Sequence, residues 1–373
     1  MGRPILLKEI GASSRRLRRV LEAILSCVRG ADLNCGSLLA TAEYGRAVSL
    51  NILFIKWKSM GDVVFTLPAI GMLRANFPDA KITYFTLVEY EPIAAAFSQV
   101  DEVLALDRGI YKRKNFVAMG RTTRELLRRL RRGHFSMVID SQCYTETAAL
   151  AWFTRAPQRW GFQLGRRLRR WAYTHSLPRP DDYHPVDANL KLLAQFGLKP
   201  VFADNEIRLP AKSREDACAF LAQHGLGAAG KTVFIQPFTS AWHKNWPLEN
   251  FLAVADDCRS KGVRVIFGGG PKERELLQPA IAAGFPVCAG LPLVTVAGIV
   301  NQATLVLGGD TGLLHLAAAM GRHVLMLFKP YGPGSTGPYG HPDWIIPPPE
   351  GGRVQDIPIK GVTEAIDRVM LAQ

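Results

Sequence analysis

The chain lacks several features that would settle its class at once. Its six cysteines (Cys27, Cys35, Cys143, Cys218, Cys258 and Cys288) are scattered with no Cys-x-x-Cys pair. This pattern points to reduced, mostly buried thiols and argues against a zinc site or a disulfide framework. No apolar run reaches the roughly 18 residues of a membrane-spanning helix. The N-terminus has no compact apolar core followed by a small-residue cleavage site, so the expected location is cytoplasmic. The glycines of Gly268–Pro271 (GGGP) lack Gly-x-Gly-x-x-Gly spacing, which removes the argument for a nicotinamide cofactor. No zinc finger or RNA-recognition signature occurs, so no nucleic-acid partner is expected.

Acidic residues are also scarce. Lysine and arginine number 46 against 32 acids, a net charge of +14 over 373 residues. Sixteen of the basic residues and only three acids (Glu125, Asp140, Glu146) lie in 108–170, so +13 of the +14 sits there. Arg121, Arg124, Arg128 and Arg131 recur at helical spacing, and Arg166, Arg167, Arg169 and Arg170 form a second cluster. For one arginine the solvated helix face is the better reading, but a whole region this biased favours an acidic partner; by charge alone, nucleic acid, anionic lipid or a phosphorylated glycan would each serve.

What is present is a soluble composition, 48% hydrophobic, long enough for two domains with full cores. Residues 1–48 form an extension whose segment Arg15–Arg29 carries Leu17, Val20, Leu21, Ile24, Leu25 and Val28 on one helical face. That stripe suits packing on the body or lying on a membrane surface. From Leu50 the pattern alternates strand and helix. NILFIKW, KITYFTLV, DEVLALD and FSMVIDSQ read as strands, with a helix over Val63–Asn76 and a basic helix before the last strand. A second series follows a Pro-containing link near 197–212. It comprises strands at KTVFIQPF, VRVIFGGG and PVCAG, helices at Leu248–Lys261, Lys272–Ala283 and Thr295–Gln302, and a final helix over 361–372. Alternation in two series implies two parallel sheets covered by helices and facing a cleft, with domains at 49–200 and 201–373.

The most informative stretch is 304–328, TLVLGGDTGLLHLAAAMGRHVLMLF. It predicts a buried strand at Leu305–Leu307, a glycine turn, a helix starting near Gly312 and a strand at Val324–Phe328. Gly308 and Gly309 permit backbone conformations closed to other residues, and Asp310 is placed to cap the helix. The first turn of such a helix directs unpaired N–H groups outward and attracts anions. Two more loops join strands to helices: Ser59-Met60-Gly61-Asp62 in the first series and Thr239–Pro247 (TSAWHKNWP) in the second. From spacing alone, Asp62 reads first as a helix N-cap and Lys244 as a surface lysine.

The order and wording of these loops resemble glycosyltransferase family 9, the ADP-heptose–lipopolysaccharide heptosyltransferases. The resembling segments are KWKSMGDVVFTLPAIGMLRANFPDAKI, VIDSQ, HPVDANLKLLAQFGL, QPFTSAWHKNWPLENF and GGDTGLLHLAAAMG. They run from about Leu50 to the end and leave out the first 48 residues. Cys143 stands where the family often has glycine, and Lys329 where a glycine is usual.

The resemblance implies a GT-B fold and an inverting transfer from a nucleotide diphosphate sugar. It makes Asp62 the base that deprotonates the acceptor hydroxyl. No Asp-x-Asp occurs to hold a divalent cation, so no metal or other cofactor is expected. Lys244, Thr239, Ser240 and the N–H groups of Thr311, Gly312 and Leu313 would then stabilise the leaving diphosphate. Asp310 and His315 would hold the turn or touch the donor, and Glu273 would lie near the ribose. An acidic glycolipid acceptor would meet Lys56, Lys58, Gln142, Lys112, Arg113 and Lys114, with peripheral contact to an anionic inner membrane. Two alternatives remain: the same fold acting with another nucleotide sugar or on a protein acceptor, and an inactive sugar-nucleotide-binding scaffold.

Overall fold

Strand β1, Asn51–Ile55 (NILFI), is apolar on both faces, which fits the centre of a parallel sheet covered on each side. The computed structural model describes residues 50–112, 116–163, 171–179, 182–226, 230–330 and 335–372. The expectations for 1–48, Arg113, Lys114 and the cluster at Arg166–Arg170 lie outside these residues.

The first sheet comprises β1 with β2 (Lys81–Leu87), β3 (Glu102–Leu106), β4 (Met137–Asp140), β5 (Gln158–Gln163) and β6 (His175–Pro178). Their order is β3-β2-β1-β4-β5-β6, every pair parallel. The second comprises β7 (Thr232–Gln236), β8 (Arg264–Phe267), β9 (Leu305–Gly309), β10 (His323–Leu327) and β11 (Ile345–Ile346), in order β11-β10-β9-β7-β8. A parallel bridge from Phe267 to Val287 extends it beyond β8, where the short strand PVCAG was expected. With that bridge both sheets share the doubly wound order of dinucleotide-binding folds. Their ligand crevices lie where the order reverses, beyond the carboxyl ends of β1 and β4 and of β7 and β9.

Three apolar clusters organise the layers. One covers the outer face of the first sheet, with Leu53, Ile55, Phe85, Leu126, Leu127 and Leu130. Another covers a face of the second sheet through Trp246, Phe251, Phe267 and the C-terminal helix Ile359–Ala372. The third is continuous between the two halves and joins Ile52, Val63 and Val64 to Leu313, Leu314 and Leu316. The helix Gly312–Ala319 thus packs directly on the helix Met60–Val64.

Two expected helices are each broken. The span 63–76 divides into Met60–Val64 and Leu67–Asn76, with Pro68 in the first turn of the second piece. A proline is accommodated there because the N–H it lacks would have no partner anyway. The span 272–283 divides in the same way into a short turn Pro271–Glu273 and Gln278–Ala282, with Pro279 opening the latter. Gly308 and Gly309 correct a third expectation, since they end a regular strand and neither has positive φ. They are needed for closeness: a Cβ on Gly308 would lie 2.4 Å from the Gln236 carbonyl oxygen, and one on Gly309 2.6 Å from the Thr239 methyl.

Candidate active site

Three loops meet at the seam between the sheets. Beyond β1, Trp57 N–H and Lys58 N–H both donate to Gln142 Oε1 at 3.1 Å. Gln142 is itself placed by Asp140, whose Oδ1 accepts from the N–H groups of Gln142 (3.0 Å) and Cys143 (2.8 Å) while Oδ2 accepts from Tyr173 OH (2.7 Å). Asp140 is fully buried, and burial pushes its carboxyl up despite these hydrogen bonds. Cys143 has φ +54°, a left-handed conformation that favours glycine. Its thiol is buried and pushed far up by that burial, so it serves as a packed group in the turn.

The loop so fixed carries Asp62. Ser59 N–H and Ser59 Oγ donate to Asp62 Oδ2 at 2.8 and 3.0 Å, while Lys56 Nζ lies 3.3 Å from Oδ1. The N-cap is therefore Ser59, and Asp62 closes a capping box from the third helical position. Burial raises the Asp62 carboxyl, but the Lys56 charge and the Ser59 hydrogen bonds outweigh it and hold the group below its ordinary value. Lys56, expected at the acceptor, is 4% exposed and turned inward to Asp62. Gln142 is likewise buried, its oxygen occupied by the backbone. Lys58 lies over the Tyr144 ring, 5.5 Å from its centroid. Of Lys112 the structure describes only the backbone.

On the facing side, Asn245 Oδ1 accepts from Thr239 N–H (2.8 Å), and Thr239 Oγ1 donates to the Ala241 carbonyl (2.9 Å). The loop thus folded presents Lys244, whose Nζ is 2.8 Å from Asp310 Oδ2. Asp310 Oδ1 meets His315 Nε2 at 3.2 Å. Burial opposes ionisation of Asp310, yet the contacts with His315 and Lys244 prevail and keep its carboxyl low. The helix N-cap is Thr311, not Asp310. Thr311 Oγ1 and His315 Nδ1 are both buried without a hydrogen-bond partner, a costly state that a bound polar ligand would relieve. Gly312 and the buried Leu313 follow in the first turn. Ser240 is exposed. Glu273 folds back so that its Oε2 accepts from Gly270 N–H at 2.7 Å.

Residues that sequence reasoning missed connect the two halves. The Phe65 ring sits 4.6 Å from the His315 ring and 4.7 Å from the His184 ring, centroid to centroid. His184 Nε2 contacts the Gly337 carbonyl at 3.2 Å, and Tyr339 OH donates to Asp187 Oδ1 at 2.6 Å. The only signal in the sequence was the HPVDANLKLL segment, which gives no hint of a partner some 150 residues away.

Two doubly wound parallel domains joined along a cleft define the GT-B class of glycosyltransferases. The profile of glycosyltransferase family 9 (heptosyltransferase) matches residues 123–351, and the chain belongs to that family. It is 25% identical over 299 residues to lipopolysaccharide heptosyltransferase 1 of Escherichia coli strain K12, covering 78% of this chain and 91% of that one. The corresponding enzyme of Salmonella typhimurium is 27% identical over 304 residues, with 78% and 92% covered. Among solved structures, E. coli heptosyltransferase WaaC with ADP superposes with a TM-score of 0.70 at 25% identity, over 86% of this chain and all of that one. A family 9 glycosyltransferase of Veillonella parvula gives a TM-score of 0.76 at 23% identity, with 88% and 99% covered.

Proposed function

We propose that this protein transfers heptose from ADP-heptose to an inner-core lipopolysaccharide acceptor, with inversion at the anomeric carbon and without a metal ion. The observation that carries the reading is the approach of the Asp62 helix to the start of the Gly312–Ala319 helix. Gly61, next to Asp62, packs on Gly312 and His315 of the other domain, where Lys244 pairs with Asp310 and the Thr311 hydroxyl has no hydrogen-bond partner.

In this reading Asp62 takes the proton of the acceptor hydroxyl as its oxygen attacks the anomeric carbon from the face opposite the diphosphate. The bond from that carbon to the diphosphate oxygen breaks, and ADP leaves with the electron pair. Lys244, the Thr311 hydroxyl and the N–H groups of Thr311, Gly312 and Leu313 meet the charge that develops on it, without reorganising as they do so. Asp310 keeps Lys244 and His315 in place. Thr239, Ser240 and Glu273 complete the donor side, and Lys58, Lys112, Arg113 and Lys114 the acceptor side. ADP as the leaving group is supported by WaaC, the relative solved with that nucleotide. An acidic glycolipid acceptor accords with the basic first domain, and a cytoplasmic enzyme in peripheral contact with an anionic membrane is part of the same reading. Among the described residues no helix is long and apolar enough to cross a membrane.

The test is release of ADP from ADP-heptose with a purified inner-core acceptor, with the product linkage read by NMR. Turnover with another nucleotide sugar and none with ADP-heptose would overturn the donor assignment, and a retained anomeric configuration would overturn the mechanism.

A further inference from the structure

The helix Phe116–Arg132 has two contrasting faces. Thr123, Leu126, Leu127 and Leu130 are buried against the first sheet. Turned outward are Val117, Gly120, Arg121, Arg124, Glu125, Arg128, Arg129 and Arg132, five cations with one acid. Arg128 pairs with Glu125, and Arg129 reaches Glu102 at 3.4 Å. Arg121, Arg124 and Arg132 have no ion-pair partner among the described residues. They span 12 residues of helix, roughly 16 Å along its axis from first to last.

The adjoining helix, Thr145–Phe153, packs against this one and adds aromatic surface. Arg131 lies over the Phe153 ring at 4.7 Å. Trp152 meets Trp171 edge to face at 5.1 Å, and Trp171 is 45% exposed. Arg131 and Arg155 are close enough for the charge of one to act on the other: burial and that like charge together hold Arg131 below the ordinary guanidinium range. Its Nε is buried with no hydrogen-bond acceptor. Among the described residues, cations on this face therefore outnumber the acids that pair with them, beside an indole that is half in water.

We propose that the outer face of the Phe116–Arg132 helix, with the Trp152–Trp171 pair beside it, docks on an anionic phospholipid bilayer. Arginines attract the phosphates and headgroup charge of such a surface, and tryptophan settles at the boundary between headgroups and acyl chains. Val117, 83% exposed at one end of the same face, would enter the same boundary. A convex helix face with arginines on successive turns fits a plane of charge better than the groove of a nucleic acid. The proposal rests on the peripheral membrane contact of the reading above and names the surface that makes it; it is read without turnover, so the proposed reaction and this surface can fail separately.

The test is sedimentation of the full chain with vesicles of phosphatidylcholine and of phosphatidylcholine mixed with phosphatidylglycerol. The protein is expected to partition onto the anionic vesicles in preference to the neutral ones, and tryptophan emission should shift to the blue. Each basic residue near such a surface contributes about fivefold, so the triple variant R121Q/R124Q/R132Q should partition about 100-fold less. The same three sites changed to lysine should restore binding, which separates charge loss from misfolding. Trp171→Ala should weaken partitioning and diminish the spectral shift. Equal binding of the wild type to both vesicle types, or of R121Q/R124Q/R132Q and wild type to anionic vesicles, would overturn the proposal. Retention on RNA with no vesicle binding would overturn it as well.

Discussion

Gly61 and Gly312 meet across the cleft with almost no space between their backbones. A Cβ on Gly312 would lie 2.8 Å from the Gly61 nitrogen and 2.7 Å from Met60 Cβ, and one on Gly61 would lie 3.0 Å from His315 Cδ2. The two glycines belong to the loop bearing the candidate base and the loop bearing the candidate phosphate site. Their contact fixes how far apart those groups stand.

Gly312→Ala should therefore disturb the relation between the domains more than the fold of either one. The methyl group meets backbone, which cannot rotate away, and overpacking of this kind costs about 1–3 kcal/mol. Steady-state kinetics should show kcat/KM for the donor down by roughly 10- to 100-fold, with each domain still folded by circular dichroism. Gly61→Ala meets the edge of an imidazole ring and should be milder. Wild-type kinetics for Gly312→Ala would mean that the seam opens during turnover.

Asp62→Asn removes the carboxylate while keeping shape, so Ser59 can still find an acceptor oxygen. Turnover should fall by about 10²-fold or more, the usual scale for a positioned base. Donor binding, measured by calorimetry with ADP, should be unchanged. A variant that turns over normally would return Asp62 to its capping role alone.

The surroundings of Asp62 show how far the sequence could be read. The apolar runs at Asn51–Ile55 and Leu305–Leu307 specify buried parallel strands directly, because both faces must be covered. Strands Gln158–Gln163 (QRWGFQ) and His175–Pro178 (HSLP) gave no such signal, since their polar content suits the margin of the sheet and only pairing, of β5 with β4 and of β6 with β5, defines them. Ser59 and Asp62 stand three apart, a spacing visible in the sequence. The partner of Asp62, however, is Lys56, which projects from the end of β1 in a direction that spacing does not encode. Asp140 and Tyr173, 33 positions apart, and the Phe65–His315 contact between domains depend on the chain's folding back and were out of reach.

Chelation should leave the reaction intact if Lys244, Thr311 and the helix N-terminus meet the leaving charge. Activity in excess EDTA is expected to equal that in magnesium. Lys244→Ala should lower kcat by roughly 10²-fold, in the range found for lost oxyanion donors, and should free Asp310 from one of its two partners. Complete loss in EDTA with recovery on adding magnesium or manganese would show that a cation does this work.

The last expectation concerns pH. Asp62 is held below its ordinary carboxylate value by Lys56 and Ser59 in spite of burial. Its ionised form is then present throughout pH 5–8, and the acid limb of kcat should fall below the usual carboxylate range. The same depression stabilises the fold above the unfolded value of 3.8, and this contribution is lost as pH falls through the lower folded value. Lys56→Met keeps the buried stem but removes the charge, so desolvation faces less opposition and the carboxyl must move up. The acid limb of kcat should move upward with it, and the fold should lose stability at neutral pH. A profile for Lys56→Met that matches the wild type, with Tm unchanged, would show that the 3.3 Å contact neither tunes nor holds the base.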